Sequence, residues 1–390
     1  MNQTVSLKFQ TMDDFLYSVG STWLLDSFFL FVSVPTSLSG FIMNTISMII
    51  LMKKEYKVNL YKYLRFYTLL GLAINLVSIF LIVTTTRRYF AFNNTLAAFT
   101  YRAYFCMSAM NTGYFIGSLV EIFISFDRLS TLSNHFLIKL YKRLNPYLVC
   151  FFVCIFVLLI NCSYYFVFMP VKRVALILNY YEGAANQSKI VELYTFTASD
   201  YSKTTLGRSM SYIQFAIRDI FTLIVDILVN IVTVRLLKKH LLKKSNLTRV
   251  SSSESTANRS VRIMSQDVST LKTDFKSQQV ELSKMEGSIS EHDKSHQSRS
   301  VSVVAKKSTN AEQKITMMVL SMVSLSIYSH IMQIIFITYS YYNTNFYVSL
   351  IFAFSSYSIT LKNAANFPLF YCFNNNFKKS FREMFGLNKK

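Results

Sequence analysis

Seven apolar stretches, each long enough to cross a bilayer, divide this 390-residue chain at about residues 27–52, 64–86, 103–126, 145–169, 209–234, 315–340 and 345–371. A spanning helix needs about 20 mostly apolar residues, because every backbone polar group must be bonded within the helix once water is gone. All seven stretches meet that length. The expected fold class is therefore an all-α membrane protein, a seven-transmembrane helix bundle. Composition agrees, with 52% hydrophobic and only 16% charged residues, less charge than a soluble chain carries.

The formal charge of +21 is the kind of excess that nucleic-acid binders carry. Its distribution points elsewhere. Lys53, Lys54, Lys57 and Lys62 follow the first stretch, and Lys139, Lys142 and Arg143 the third; Arg235, Lys238, Lys239, Lys243 and Lys244 end the fifth, and Lys378, Lys379 and Arg382 follow the seventh. Basic loops face the cytoplasm. The opposite segments carry acids: Asp13, Asp14, Asp26, Glu182, Glu192 and Asp200. The expected orientation is N-terminus outside and C-terminus inside, with membrane lipid and not nucleic acid as the partner of the basic charge. Residues 1–22 lack a basic start followed by a compact apolar run, so the first stretch is expected to act as the insertion signal. Sequons at Asn2, Asn93 and Asn186 fall in outer segments and are candidate glycosylation sites. Asn246 and Asn258 head the same pattern in a loop expected inside, so chance matches occur.

These features divide the chain into an outer N-terminus (1–26), helices one to five (27–237), a long inner loop (238–312), helices six and seven (313–371), and an amphipathic tail (372–390). The inner loop is Ser-rich, Pro-free and charged, and such a segment cannot bury enough apolar area to fold alone. Disorder is expected, with a second reading: Val261, Met264, Val268, Leu271, Phe275, Leu282 and Met285 have the spacing of an amphipathic helix. Its Ser residues near Lys and Arg read either as kinase targets or as solvation. The segment from Val171 to Ser209 reads as a lid over a ligand or as a plain surface loop. Past the seventh stretch, Phe373, Phe377, Phe381 and Phe385 recur every fourth residue with Lys and Arg between them, the pattern of a helix lying on the inner leaflet. Cys106, Cys150, Cys154, Cys162 and Cys372 all lie within or at the ends of stretches; a Cys106 to Cys162 bond and free apolar thiols are both compatible with this.

Ionisable residues inside a membrane helix cost at least about 2.5 kcal/mol at its centre and mark the bundle interior. Here they are Glu121, Asp127 and Arg128 in the third stretch, Arg218, Asp219 and Asp226 in the fifth, His330 in the sixth and Lys362 in the seventh.

With these residues in place the chain resembles the rhodopsin-like (class A) G-protein-coupled receptors, over most of its length outside the inner loop. Asn44 matches the first-helix Asn. Leu72-Ala73-Ile74-Asn75-Leu76 resembles the second-helix motif, with Asn75 in the place of Asp. Asp127-Arg128-Leu129 resembles the Asp-Arg-Tyr motif, Glu312, Lys314 and Thr316 the start of the sixth helix, and Asn366-Phe367-Pro368-Leu369-Phe370 the Asn-Pro-x-x-Tyr motif running into a membrane-surface helix. There are departures. Pro368 comes one place late, Phe370 replaces Tyr, His330 stands at the sixth-helix Trp, Trp23 is the only Trp, and the second outer loop has no Cys. They imply a divergent member, of an invertebrate peptide or chemosensory type.

The resemblance implies a receptor that passes an extracellular ligand's signal to a heterotrimeric G protein at the plasma membrane. Asp127, Arg128, Asn366 and Phe370 become its coupling switch, with a plain inner-rim basic residue as the alternative for Arg128. By alignment Glu121 and Lys362 fall on the lining of the family's sodium pocket, so an ion pair between them, completed by Asn75, Asn363 and Asn366 with Asn44 nearby, is expected in place of sodium, with Lys362 snorkelling alone as the alternative. Amine receptors place an Asp eighteen residues before Arg128; here it is Met110, so a peptide is expected over an amine. Lys362 sits too near the inner motif for retinal attachment. A ligand pocket is expected from Met110, Tyr114, Arg218, Asp219, His330, Gln333 and Tyr357, with internal pairing of Arg218 as the alternative for that residue. His330 reads as a hinge reporter or as a satisfied polar group.

A transporter or chemosensory channel would repeat charges or Gly/Pro breaks between halves, or show a pore stripe. The sequence has neither, and insect-type seven-span channels run in the opposite orientation. No catalytic triad, metal cluster or phosphate-binding loop is legible, so no enzyme, cofactor or metal is expected.

Overall fold

The computed structural model describes residues 5–9, 23–86, 95–133, 144–166, 168–182, 185–239, 242, 291–342 and 346–387. The first four spanning helices are α1 (Leu24–Leu51), α2 (Asn59–Thr85), α3 (residues 96–132) and α4 (Pro146–Asn161, continued as a 3-10 turn to Phe166). Then come α5 (Thr205–Lys239), α6 (Gln313–Ser340), α7 (residues 346–373) and the short α8 (Asn375–Met384). Among the described residues α1, α2, α5 and α6 are each long and apolar enough to cross a membrane. The rest depart for local reasons. α3 carries Arg102, Glu121, Asp127 and Arg128, and α4 has only 16 α-helical residues. α7 is interrupted at Ala365 because Pro368 has no N–H to give and its ring crowds the carbonyl four residues back. The seventh stretch is thus two helices, Phe346–Ala364 and Asn366–Phe373, where a continuous one was expected.

α2 packs between α1 and α3, and α7 closes against α1 and α2. In lipid, apolar burial does not by itself draw helices together, so small residues and side-chain hydrogen bonds fix the contacts. Ser37 of α1 donates to Ser78 of α2 (3.2 Å), and Ser78 shares a 3.1 Å bond with Thr360 of α7. Gly40 lets the three helices meet: a Cβ there would lie 2.8 Å from both the Ala364 Cβ and the Asn75 Nδ2. Towards α8 the bundle holds an aromatic core of Tyr63, Tyr67, Phe115, Phe370 and Phe377, all fully buried. Phe377 and Phe381 of α8 pack on Phe367 and Phe370, and Asn374 caps α8 by accepting from the Asn376 and Phe377 amides.

At the other end the segment after α4 is a hairpin. β2 (Phe168–Glu182) pairs antiparallel with β3 (Ala185–Ala198), from Phe168↔Ala198 to Glu182↔Ala185, and β1 (Val5–Phe9) joins β2 in parallel, Val5↔Arg173 to Phe9↔Ile177. The three-stranded sheet is an addition to the helical bundle. Neither the lid nor the plain-loop reading anticipated strands, although Gly183-Ala184 between two runs rich in Val, Ile, Leu, Tyr and Thr is a short-hairpin signal.

Residues Thr233–Lys314 form a compact unit of their own. Within it the chain is helical from Glu291, where disorder was expected to continue to 312. Between Gly287 and Pro368 the sequence has neither Gly nor Pro to stop a helix. The apolar pattern of 261–285 lies outside the described residues.

Candidate functional site

Two buried polar clusters occupy the middle of the bundle, and a third pair closes the α8 end of α3. The first cluster is built from α2, α3, α6 and α7. Lys362 Nζ lies 2.8 Å from Glu121 Oε2, with both side chains under 4% exposed. The Tyr67 hydroxyl donates to Glu121 Oε1, Lys362 Nζ donates to Ser326 Oγ at 3.0 Å, and the ammonium sits 5.2 Å from the centre of the Tyr114 ring. Asp226 of α5 belongs to the same field: it is fully buried and within electrostatic reach of Glu121 and Lys362.

The asparagines expected to complete this pair do something else. Asn363 Nδ2 bonds back to the Ile359 carbonyl (2.8 Å), and Asn44 Nδ2 donates to the Asn363 carbonyl (3.0 Å). Asn44, Asn363 and Asn366 crowd around Gly71, and Asn75 stands beside Gly40. The cause is helical phase. At about 3.6 residues per turn, Lys362 aims at α3 and α6 while Asn363 and Asn366 face α1 and α2. Tyr67 and Ser326 take the role given to the asparagines. Sequence reading missed both, since a lone Tyr or Ser in a spanning helix carries no pattern.

The second cluster centres on α5. A π-helical turn over Ala216–Phe221, in which bonds reach five residues back, turns the consecutive Arg218 and Asp219 both inward. Arg218 holds Asp219 through two bonds of 2.9 and 2.7 Å and also donates to Asn111 of α3. Asp219 Oδ1 stands 3.6 Å from His330 Nδ1, and that nitrogen shares a 2.8 Å bond with the Tyr114 hydroxyl. The Thr222 hydroxyl lies 3.4 Å from His330 Nε2. Arg218 is therefore compensated internally. Tyr114 touches both clusters, with its hydroxyl on His330 and its ring face under Lys362.

The seven residues expected to line one ligand pocket are thus divided. Tyr114, Arg218, Asp219 and His330 bond one another. Met110 and Tyr357 line a separate crevice among α1, α2, α3 and α7, with Phe29, Ser33, Ser78 and Thr360. Gln333 is half-buried one turn further along α6. Burying a cation beside its own counter-ion is cheaper than holding it open for a ligand, which explains the division.

At the far end of α3, Arg128 Nη2 donates to Asp127 Oδ2 at 2.6 Å, with both side chains 8% exposed. Asn366 and Phe370 are buried beyond the break in α7, and the Phe370 ring meets Phe377 at 5.6 Å. Asn186 lies on β3, paired with Tyr181; Asn2 and Asn93 lie outside the described residues. All five cysteines are free.

No protein-family model matches the chain, and no curated protein matches it in sequence. Solved structures do match. The crystal structure of squid rhodopsin aligns with 97% of this chain and 87% of its own, with a TM-score of 0.53 and 13% sequence identity. At that identity the likeness concerns the fold, and the chain has the rhodopsin-like seven-helix receptor fold.

Proposed function

We propose that this multi-pass membrane protein is a G-protein-coupled receptor of the plasma membrane, with its N-terminus and β-sheet outside and α8 on the cytoplasmic leaflet. The observation that carries the reading is the buried Asp127–Arg128 pair at the basic end of α3. Adjacent residues on one helix can part without repacking the bundle, which suits a group that is held at rest and then released toward a heterotrimeric G protein. Asn366 and Phe370, across the break in α7, complete the switch. The Lys378, Lys379 and Arg382 charges on α8 face anionic lipid, at about 1 kcal/mol each.

The extracellular ligand is a peptide in preference to an amine. Met110 offers an ammonium no counter-charge, and Arg218–Asp219 is spent internally. The sheet supports the peptide, since its strand edges present backbone donors and acceptors that an extended chain can pair with. Asn2, Asn93 and Asn186 carry glycans on this side.

The test uses the full-length receptor tagged at both ends. Intact cells should label at the N-terminal tag only. Asp127→Asn should raise ligand-free G-protein activation, and Arg128→Ala added to it should abolish that activation. An N-terminal tag reached only after permeabilisation would overturn the receptor reading.

A further inference from the structure

Among the described residues, the buried carboxyl of Asp226 has no cation of its own. Around Ser326 the interior holds two carboxylates, Glu121 and Asp226, and one ammonium, Lys362. Lys362 stands on Glu121 at 2.8 Å. Asp226 is 0% exposed, and neither of its oxygens makes a hydrogen bond of normal geometry, with the Ser326 hydroxyl standing beside it. The groups facing it are Tyr67 from α2, Glu121 from α3, Ser326 from α6 and Lys362 from α7; on its own helix Arg218 and Asp219, two turns away, are closed on each other. No second cation faces it among the described residues. An isolated carboxylate in this setting carries a desolvation cost of several kcal/mol, and such groups take up a proton instead.

We propose that Asp226 is a proton-binding site of this protein: at neutral pH it is a carboxylic acid, and Lys362 serves Glu121 alone. The proton is taken from water and returned to it, Asp226 alternating between carboxyl and carboxylate. The protonated oxygen gains an O–H, and Ser326 is its neighbour to receive it. Losing that proton leaves two carboxylates competing for one ammonium that bridges α3 and α7. Deprotonation therefore loosens the Glu121–Lys362 tie, and the proton acts as an internal ligand that favours the arrangement seen here. The inference concerns the bundle's charge balance and stands whether or not the chain couples to a G protein.

The experiment is difference infrared spectroscopy of the full-length protein in lipid nanodiscs at pH 7, reading the carbonyl stretch of a protonated, water-excluded carboxyl and its shift in heavy water. Wild type should show the band, and Asp226→Asn should lose it while keeping the wild-type thermal midpoint, since the amide is a neutral isostere of the acid. Glu121→Gln should lose the band as well, because Lys362 is then free to pair with Asp226 and displace its proton. A wild-type protein without the band would overturn the proposal. So would a band that survives Asp226→Asn, which would place the proton on Glu121, or one that survives Glu121→Gln, which would show Asp226 to be indifferent to Lys362.

Discussion

Two kinds of buried ion pair sit in this bundle. Asp127–Arg128 and Arg218–Asp219 join neighbours on one helix, whereas Glu121–Lys362 joins α3 to α7 across 241 residues of sequence. Asp127–Arg128 travels with its helix and constrains little else, while Arg218–Asp219 is also tied to Asn111 and His330. The cross-helix pair exists only while two helices keep their distance, so it holds tertiary arrangement, and its partners leave buried charge behind when the helices part. That contrast implies different roles: the local pair at the α3 end can be opened cheaply, and the cross-helix pair cannot.

Removing one side of the cross-helix pair should produce the largest effect. Lys362→Met leaves the Glu121 carboxylate buried beside the Asp226 carboxyl with no cation, and a loss of about 3–5 kcal/mol is expected, read as a lowered thermal midpoint and reduced surface expression. Glu121→Gln should cost less, because Asp226 can replace the missing partner. Equal losses from the two would remove Asp226 from the account.

Next comes the approach of the helices that the pair bridges. Gly40→Val places a branched side chain where even a Cβ meets Ala364 and Asn75 at 2.8 Å. Overpacking of this kind costs about 1–3 kcal/mol. A wild-type thermal midpoint would show that α1 can retreat from α2 and α7 freely.

A smaller effect is expected at Tyr56, between α1 and α2. Its hydroxyl bonds Ser380 of α8 at 3.3 Å, and burial, opposed by that bond, pushes its phenol up to about 12. Below pH 10 both folded and unfolded states keep the proton and no pH dependence arises. Between about 10 and 12 the unfolded phenol ionises first, so stability should fall as pH rises through that window. Tyr56→Phe should lose about 1 kcal/mol at neutral pH and flatten the alkaline decline, as measured by thermal midpoints across the series.

The local pair should give the smallest change in stability. Asp127→Asn is expected to shift the midpoint by less than about 1 kcal/mol, because the amide keeps an oxygen that can accept from the adjacent Arg128. A loss as large as that of Lys362→Met would erase the distinction between local and cross-helix pairs.

How much of this was legible in the sequence follows from the range of the interactions. The helices were written in apolar runs, and Pro368 and the Phe periodicity of α8 mark the last part of the bundle. Glu121 and Lys362 stood out because charge in a spanning helix is costly, and the family alignment put them at one depth. Their true supports, Tyr67 and Ser326, depend on helix rotation, which a run of apolar residues does not encode. The asparagines were assigned to the pair from the resemblance to the sodium pocket, and a resemblance of sequence positions does not tell which face a residue occupies here. The division of the expected ligand pocket has a similar origin, since the π-helical turn that brings Arg218 and Asp219 together has no residue signature. The hairpin was readable from Gly183-Ala184 and the β-branched runs beside it, but the parallel partner Val5–Phe9 comes from the far end of the outer sequence.

The central claim is that Glu121 and Lys362 are energetically coupled across α3 and α7. Thermal midpoints of wild type, Lys362→Met, Glu121→Gln and the double variant, purified in the same lipid, test it directly. The double variant, with Asp226 a neutral carboxyl and no uncompensated charge left in the cluster, should be clearly more stable than Lys362→Met alone. A double variant as unstable as the sum of the two single losses would contradict the coupling.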